Sequence, residues 1–442
     1  MFVRHQISTG LGRFNSLGGK TDTADCYSGI ILPNMRTHTH AKNTDCLGRY
    51  YTAPAIAEVL VKCLPQRQPT SLLDLGAGAG SLCVAASSKW QELSLITVDS
   101  DKQASLTLSD ALKESGFVGS HWHVQSDALT TQLPKRIRDE LRQQPSIAVC
   151  NPPFLTPAWE IHYSEILEDV GFSGCIPAIA QTDTAVLFLA QNFRILGEGG
   201  TVGIIVPDSI VSASRYKRFR QDLLNQYDVQ QAIRLPRTSF VGTDAQAHIL
   251  VISKQRPRNE PIILSSLPSA HAKPETLSID REKAALRLDY AYHTAQDAVR
   301  KITLEAVTLE LRRGTFNSAE VRASKDFILH TTDISADILG QWSSFKDLTK
   351  HCAFGQHQPV IAEAGDILIA RVGRNAASKV IGLYRGSVAI SDCLYRLRVM
   401  PEYRKAVLKS LASTRGQTWL RAHAYGVAAS QLSKGDLLQF PV

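Results

Sequence analysis

Between about residues 47 and 255 short apolar runs alternate with amphipathic stretches. "PAIAEVLVKCL" carries apolar residues at helical spacing behind a proline start, and "SLLDLGAGAG" is a short apolar strand running into glycines. "LSLITVDSD" is a strand ending in acids, "SIAVCNPPF" is another ending in two prolines, and "GTVGIIVP" and "AHILVISK" are further strands. Between them "DTAVLFLAQNFRIL" reads as a buried helix, with Asp183 placed to cap its start and "GEGG" to stop it. Strand and helix in alternation predict a mostly parallel sheet covered on both faces.

The pattern changes after "SKQRPRNEP". Residues 256–285 are polar and proline-bearing and read as a linker or linking hairpin. Beyond them "DILIARVG", "KVIGLY" and "VAISDCLYRLRV" are short, β-rich and punctuated by Gly and Asp, with a helix such as "PEYRKAVLKSLAS" interposed. The predicted division is an unassigned extension (1–46), an α/β domain (47–255), a linker (256–285) and an α+β domain (286–442).

Composition adds few surprises and one clue. The 442 residues, 44% hydrophobic and 20% charged, suit a globular chain of two to three domains. No run approaches the ~18 apolar residues of a membrane span, and the first residues lack the apolar core of a secretory signal, so a cytoplasmic location away from membranes is expected. Eight scattered cysteines without a C-x-x-C pair are expected to be reduced, buried thiols. "HCAFGQH" (His351, Cys352, His357) and "HWH" (His121, His123) both depart from familiar zinc spacings, and no metal is expected. The clue is charge. From Leu286 onward there are 21 Lys or Arg against 14 Asp or Glu, so seven of the eight net positive charges sit in the last third. An excess confined to one domain points to a polyanion partner.

The chemistry lies at the strand ends. Asp74, Gly76, Gly78 and Gly80 occupy a strand-to-helix turn, where glycines let a ligand lie against the backbone. Asp99, about twenty residues on, is placed to take ribose hydroxyls, which fits dinucleotide and methyl-donor sites alike. Asp127 in "VQSDAL" is suited to accept from an adenine amino group. "NPPF" (Asn151, Pro152, Pro153, Phe154) then separates the two, because dehydrogenases have no use for it there. An exocyclic amine is a poor nucleophile, its lone pair being delocalised into the ring. The Asn151 side-chain carbonyl and the Pro152 main-chain carbonyl can bind both its hydrogens and aim the lone pair at a methyl sulfonium, while the prolines stiffen the arrangement and Phe154 stacks on the base.

In this order the motifs resemble the N6-adenine DNA methyltransferases of the γ arrangement, the group of the TaqI-like enzymes and type I modification subunits. "GRYYTAPAIAEVLV" is similar to that family's Gly-x-aromatic-aromatic-Thr-Pro motif, whose Thr, here Thr52, contacts the carboxylate end of S-adenosylmethionine; Ala53 stands where the family usually has Pro, and Pro54 follows. The resemblance, over about residues 47–255, implies a Rossmann-like S-adenosylmethionine-dependent fold. It assigns donor binding to Thr52, Asp74 with Gly76, Gly78 and Gly80, Asp99 and Asp127, and the target base to Asn151, Pro152, Pro153 and Phe154. "LPRTSFVGTDAQAHILVISK" resembles the later motif that supplies a second aromatic wall, here Phe240.

The last third, in "LRLDYAYH", "LRRGTF", "FILHTTDIS", "AGDILIARVGRNAASKVIGLYRGSVAISDCLYRLRV" and "GVAASQLSKGDLLQFPV", resembles the target recognition domain shared by type I specificity subunits and TaqI-like enzymes. Arg371, Arg374, Lys379 and Arg385 are its candidates for phosphate or base-edge contacts.

The expectation is a site-specific DNA adenine-N6 methyltransferase acting on a flipped base in duplex DNA, by in-line displacement without metal or covalent intermediate. It would be the modification enzyme of a restriction–modification system, with any cognate endonuclease a separate protein. RNA or protein methylation through the same loop, and a non-catalytic DNA specificity subunit, stay open. So do the recognised sequence and the oligomeric state.

Overall fold

The first strands owe their places to continuous apolar runs. β1 (Ser71–Leu75), β4 (Ile147–Cys150), β5 (Thr201–Pro207) and β7 (Ala247–Ser253) are buried at every position, as strands covered on both faces are. This computed structural model describes residues 51–442 apart from 66, 142–143, 241–242, 296–301, 346–357 and 428. The 1–46 extension and His351, Cys352 and His357 lie outside the described residues.

With β2 (Ser94–Asp99), β3 (Ser120–Gln125), β6 (Asp228–Arg234), β8 (Ile262–Ser266) and β9 (Glu275–Ile279) the strands form one sheet in the order β3-β2-β1-β4-β5-β7-β6-β8-β9. β3, β2, β1, β4 and β5 run parallel, while β7 pairs antiparallel with β5 and β6. Period-2 alternation splits the core. Leu72, Leu95, Ile147 and Val149 face one side, with α1 (Pro54–Cys63), α2 (Ser81–Lys89) and α3 (Lys102–Glu114). Leu73, Leu75, Ile96 and Cys150 face the other, with α4 (Leu133–Leu141), α5 (His162–Glu168), α6 (Thr184–Ile195), α7 (Asp208–Ser212) and α8 (Lys217–Gln226). The Asp183 carboxylate accepts from Ala185 N and caps α6, as its sequence predicts.

Two features of the sheet go beyond the strands read from the sequence: the region read as a linker or linking hairpin is the hairpin, and one strand was not anticipated. Residues 256–285 form a hairpin of β8 and β9 that adds two strands to the sheet, β8 pairing in parallel with β6. The alternation is only three residues long, Ile262 and Leu264 inward and Ile263 outward, and the polar flanks conceal it. β6 itself has no counterpart among the predicted strands, because "DVQQAIR" buries its apolar positions around two exposed-looking glutamines.

The chain continues through α9 (Arg281–Leu286) and α10 (Tyr290–Thr294) into α11 (Leu304–Val307), β10 (Thr308–Arg313), α12 (Ser318–Ala323), β11 (Ile328–Leu329), β12 (Trp342–Ser344), β13 (Ile361–Glu363), β14 (Ile367–Ala370), β15 (Val372–Gly373), β16 (Val380–Arg385), β17 (Ser387–Ile390) and β18 (Leu394–Val399). It ends with α13 (Arg404–Ala412), α14 (Thr414–His423), β19 (Ser430–Gln431) and α15 (Lys434–Leu438). The strands make a five-stranded sheet, β10-β18-β14-β16-β12, beside a three-stranded one, β11-β17-β13, and a β15-β19 pair. Ile367 and Ile369 join α13, α14 and α15 in one core, while Leu368 and Ala370 join a second core with Val388 and Ile390.

Buried charges tie this second part to the nine-stranded sheet. Arg220 gives its protons to the carbonyls of Ile210, Ala213, Ala285 and Leu286. Asp208 accepts from His248 Nε2 at 2.9 Å and from Gly426 N at 2.8 Å. Burial alone would raise the Asp208 pKa, but the His248 bond and charge and the Gly426 N–H hold it down at about 2. Arg287 pairs with Asp289 at 2.7 Å and donates to His423 O at the end of α14. Among the described residues no helix is long and apolar enough to cross a membrane.

Candidate active site at the sheet edge

Strand order decides what meets at the carboxyl edge. Because β3, β2, β1 and β4 are neighbours, Asp127, Asp99, the glycine turn and Asn151 follow one another along it over three strand spacings, roughly 14 Å. A cavity of about 290 Å³ opens there, and Thr52, Gly76, Gly78, Asp99, Asp127, Asn151 and Pro153 all line it.

The glycine turn is shaped by its φ angles. Gly76, Gly78 and Gly80 have φ of 76°, 50° and 84°, so the chain bends back to let Gly76 N donate to Val98 O. Asp99 braces the turn from β2, one oxygen accepting from Gly78 N and the other from Asp101 N, both at 2.9 Å. Asp127 is exposed at the mouth and accepts from Leu129 N at 2.9 Å.

At the opposite end the "NPPF" segment leaves β4. Asn151 Nδ2 donates to Thr52 Oγ1 at 2.9 Å, across 99 residues of sequence. Leu155 O accepts from both the backbone N and the Oγ1 of Thr184, which fastens the segment to the start of α6. Phe154 meets Phe240 edge to face, with ring centroids 5.7 Å apart and planes at 81°. Thr52 forms a backbone bridge to Phe240, and Ala53 N donates to Ser239 O, so the segment before α1 and the loop after β6 are stitched together beside Asn151.

Not every expected residue reaches the cavity. Asp74 is wholly buried one position inside β1, where it accepts from Cys83 Sγ at 3.2 Å. Burial, and to a smaller degree the Asp99 charge, push its pKa up to about 7. Gly80 is the N-cap of α2 and serves packing, since a Cβ there would lie 2.1 Å from Leu108 Cδ1. Pro152 is buried beneath the loop, and Phe154 and Phe240 sit outside the cavity wall. Conversely Tyr51, Leu155, Pro157, Tyr163, Thr184 and Phe188 line it unforeseen. Thr184 and Phe188 lie four residues apart on α6, and a helix apolar all round does not announce which face meets a ligand.

The four cations of the second part fare differently. Arg371 is 9% exposed in its side chain and gives Nε–H to Asp392 O at 2.7 Å, and Lys379 donates to Thr331 O. Both are thus engaged with main-chain carbonyls of the second part. Arg374, 75% exposed, pairs with Asp244 at 3.4 Å, and Arg385 is exposed at the end of β16. Among the described residues no three His, Cys, Asp or Glu gather as a metal site; His121 and His123 share the Thr97 hydroxyl instead.

Residues 23–298 match the family described as N-6 DNA Methylase. The chain is 22% identical over 226 residues to the type I restriction enzyme MpnII methylase subunit of Mycoplasma pneumoniae, which is 49% of this chain and 42% of that protein. It is 24% identical over 199 residues to the tRNA1(Val) (adenine(37)-N6)-methyltransferase of Flavobacterium psychrophilum, 44% of this chain and 75% of that one. The chain thus spans less than half the length of the restriction methylase subunit. Its fold is similar to that of the type IIL restriction–modification enzyme MmeI, solved in complex with DNA, with a TM-score of 0.53 at 11% identity, over 87% of this chain and 63% of that one.

Proposed function

The chain belongs to the N-6 DNA Methylase family, and on that premise we propose that it methylates the N6 amine of an adenine rotated out of duplex DNA, as the modification enzyme of a restriction–modification system. The observation that carries the reading is the placing of Asn151. It stands at the carboxyl end of β4, hydrogen-bonded to Thr52, in a cavity whose far end holds two carboxylates.

The residues present suit S-adenosylmethionine. Asp99 and Asp127 can accept from ribose hydroxyls and an adenine amine, the positive-φ glycine turn keeps Cβ atoms out of the way, and Thr52 can donate to a carboxylate. When bound, the donor supplies an electrophilic methyl group on a sulfonium. Asn151 Oδ1 and the Pro152 carbonyl would accept the two amine hydrogens and aim the nitrogen lone pair. Phe154 would stack on the base, with Phe240 supporting it from the edge. Unstacking the base costs roughly a few kcal/mol, which that contact partly offsets.

The recognition of DNA is proposed for the part after residue 286, on its basic excess and its own sheets. A similar fold was solved on DNA in the type IIL enzyme. The tRNA relative supports a second reading, RNA as substrate. Sequencing of modified bases in plasmid DNA from a methylation-deficient host expressing this chain tests both, with Asn151→Ala as control. N6-methyladenine in one short motif, absent from the control, is expected. Unmodified DNA beside methylated tRNA would select the second reading.

A further inference from the structure

We infer that Arg215, Lys217 and Arg218 form a phosphate-binding strip beside the base site, on the nine-stranded part, which holds the backbone of the DNA strand whose adenine enters that site. The inference rests on the proposed function and deepens it, since that reading draws its DNA contacts from the part after residue 286.

The strip stands at the edge where the base must arrive. β5 is the parallel neighbour of β4, so the chain leaving β5 emerges one strand spacing, about 5 Å, from the chain that carries Asn151. It runs through α7 into a turn at Ser214–Tyr216 and then into α8. The Tyr216 ring is buried, and its hydroxyl fastens the turn to the cavity rim. It accepts from Asp183 N at 2.7 Å and donates to Gln181 O at 3.0 Å, next to the cavity-lining Thr184. Arg215 lies over that ring, its Cζ 5.2 Å from the centroid. Burial raises the Tyr425 pKa and the Arg215 charge works against it, so the guanidinium also lies within reach of the second part.

Exposure and charge set the three cations apart from their neighbour. Arg215, Lys217 and Arg218 are exposed, whereas Arg220, the fourth cation of "SRYKRFR", is buried and spends its protons on carbonyls. Residues 209–221 contain no acid, and residues 171–182, which Tyr216 ties to the strip, contain no charge of either sign. Two acids approach from either side. Asp222, one turn beyond Arg218, is engaged by the Cys175 thiol. Asp183 caps α6 through Ala185 N, and burial lifts its pKa to about 7, so near neutral pH it offsets only part of one charge. The strip keeps a positive surplus that the fold does not use.

A phosphodiester backbone fits such a surface. An adenine cannot reach Asn151 without drawing the phosphates on either side of its own sugar to the same rim. Cations on exposed stems meet those phosphates whatever the sequence, and so supply affinity and position while leaving the choice of site to other contacts.

The test measures binding of the full chain to a labelled duplex of about 30 base pairs and arbitrary sequence across a salt series. The Arg215→Ala, Lys217→Ala, Arg218→Ala triple variant should lose at least about tenfold in affinity near 0.1 M salt, and its slope of log affinity against log salt should fall by about 2.7, roughly 0.9 per phosphate. Its melting temperature and its binding of S-adenosylmethionine in calorimetry should match the wild type. A second triple variant, Lys62→Ala, Arg67→Ala, Lys113→Ala, removes as much charge from exposed positions toward the amino ends of β1 and β3, and should lose less than about threefold. Equal losses in the two variants would reduce the effect to net charge and overturn the strip. Unchanged DNA binding in the first variant, beside N6-methyladenine in plasmid DNA from a host expressing the wild type, would overturn the strip and leave the proposed function standing. A wild-type chain that binds tRNA and not the duplex would overturn the proposed function, and the inference with it.

Discussion

Along the nine-stranded sheet the polar residues singled out by motif come together from four strand ends, whereas the cations singled out in the part after residue 286 scatter between interior and surface. Thr52 and Asn151 touch across 99 residues, while Arg371 and Arg374, three residues apart, have nothing in common. The difference lies in what selected them. A motif at the end of a parallel strand carries its own geometry, because that edge is where loops converge. A count of positive charge carries none, since a strand turns alternate residues to opposite sides.

The strongest way to break the comparison is at Asn151. Asn151→Ala should lower methyl transfer at least about 1000-fold, with donor binding and melting temperature nearly unchanged. Loss of donor binding in calorimetry would mean that the segment holds the cavity together and does not address the base.

Arg371 probes the other side. Its guanidinium is buried against the Asp392 carbonyl, so Arg371→Ala leaves an acceptor unmet inside the fold and should cost about 3 kcal/mol in denaturant unfolding. An unchanged unfolding midpoint, together with weakened DNA binding, would restore Arg371 as a DNA contact.

Asp74 sharpens the comparison within the sheet itself, as a motif residue that faces the core. Burial lifts its pKa from 3.8 to about 7, so the folded chain binds more protons than the unfolded one between those values. Stability from this group therefore falls as pH rises from about 4 to about 7 and is level above that. Asp74→Asn cannot ionise, and relative to wild type it should gain about 4 kcal/mol on going from pH 4 to pH 8. Parallel pH profiles of the two melting temperatures would remove the assignment.

How far the sequence could be read follows the same division. β1, β2, β4 and β5 of the parallel core were legible because their apolar runs are uninterrupted, and the buried helix α6 because Asp183 caps it. β6 was not, since two glutamines break it, and the hairpin at 256–285 could not be told from a linker, since three residues make up its alternation. In the site, the strand-end residues Asp99, Asp127 and Asn151 line the cavity, yet Asp74, two residues before the cavity-lining Gly76, is wholly buried. A one-residue step along a strand reverses its side, and the motif's spacing does not reveal where the strand ends. Thr184 and Phe188 stayed hidden because α6 is buried nearly throughout, which erases the stripe that would mark its ligand-facing side.

The smallest expected effect separates the two exposed arginines from Arg371. Arg385 stands at the surface end of β16, and Arg374 is three-quarters exposed and held by a long 3.4 Å pair with Asp244. Such a surface pair contributes at most ~1 kcal/mol to stability. Neither Arg374→Ala nor Arg385→Ala should therefore shift the unfolding midpoint measurably. If either residue meets a phosphate, its loss should weaken DNA binding by less than about tenfold and lower the slope of log affinity against log salt by about 0.9. Asp244 adds a further arm for Arg374, because a phosphate must displace that carboxylate first. Asp244→Asn should then strengthen DNA binding by a few tenths of a kcal/mol, roughly the worth of an exposed pair, and the gain should vanish in the Asp244→Asn, Arg374→Ala double variant. A gain that persists in the double variant would place the effect in general repulsion between Asp244 and DNA and leave Arg374 without a role.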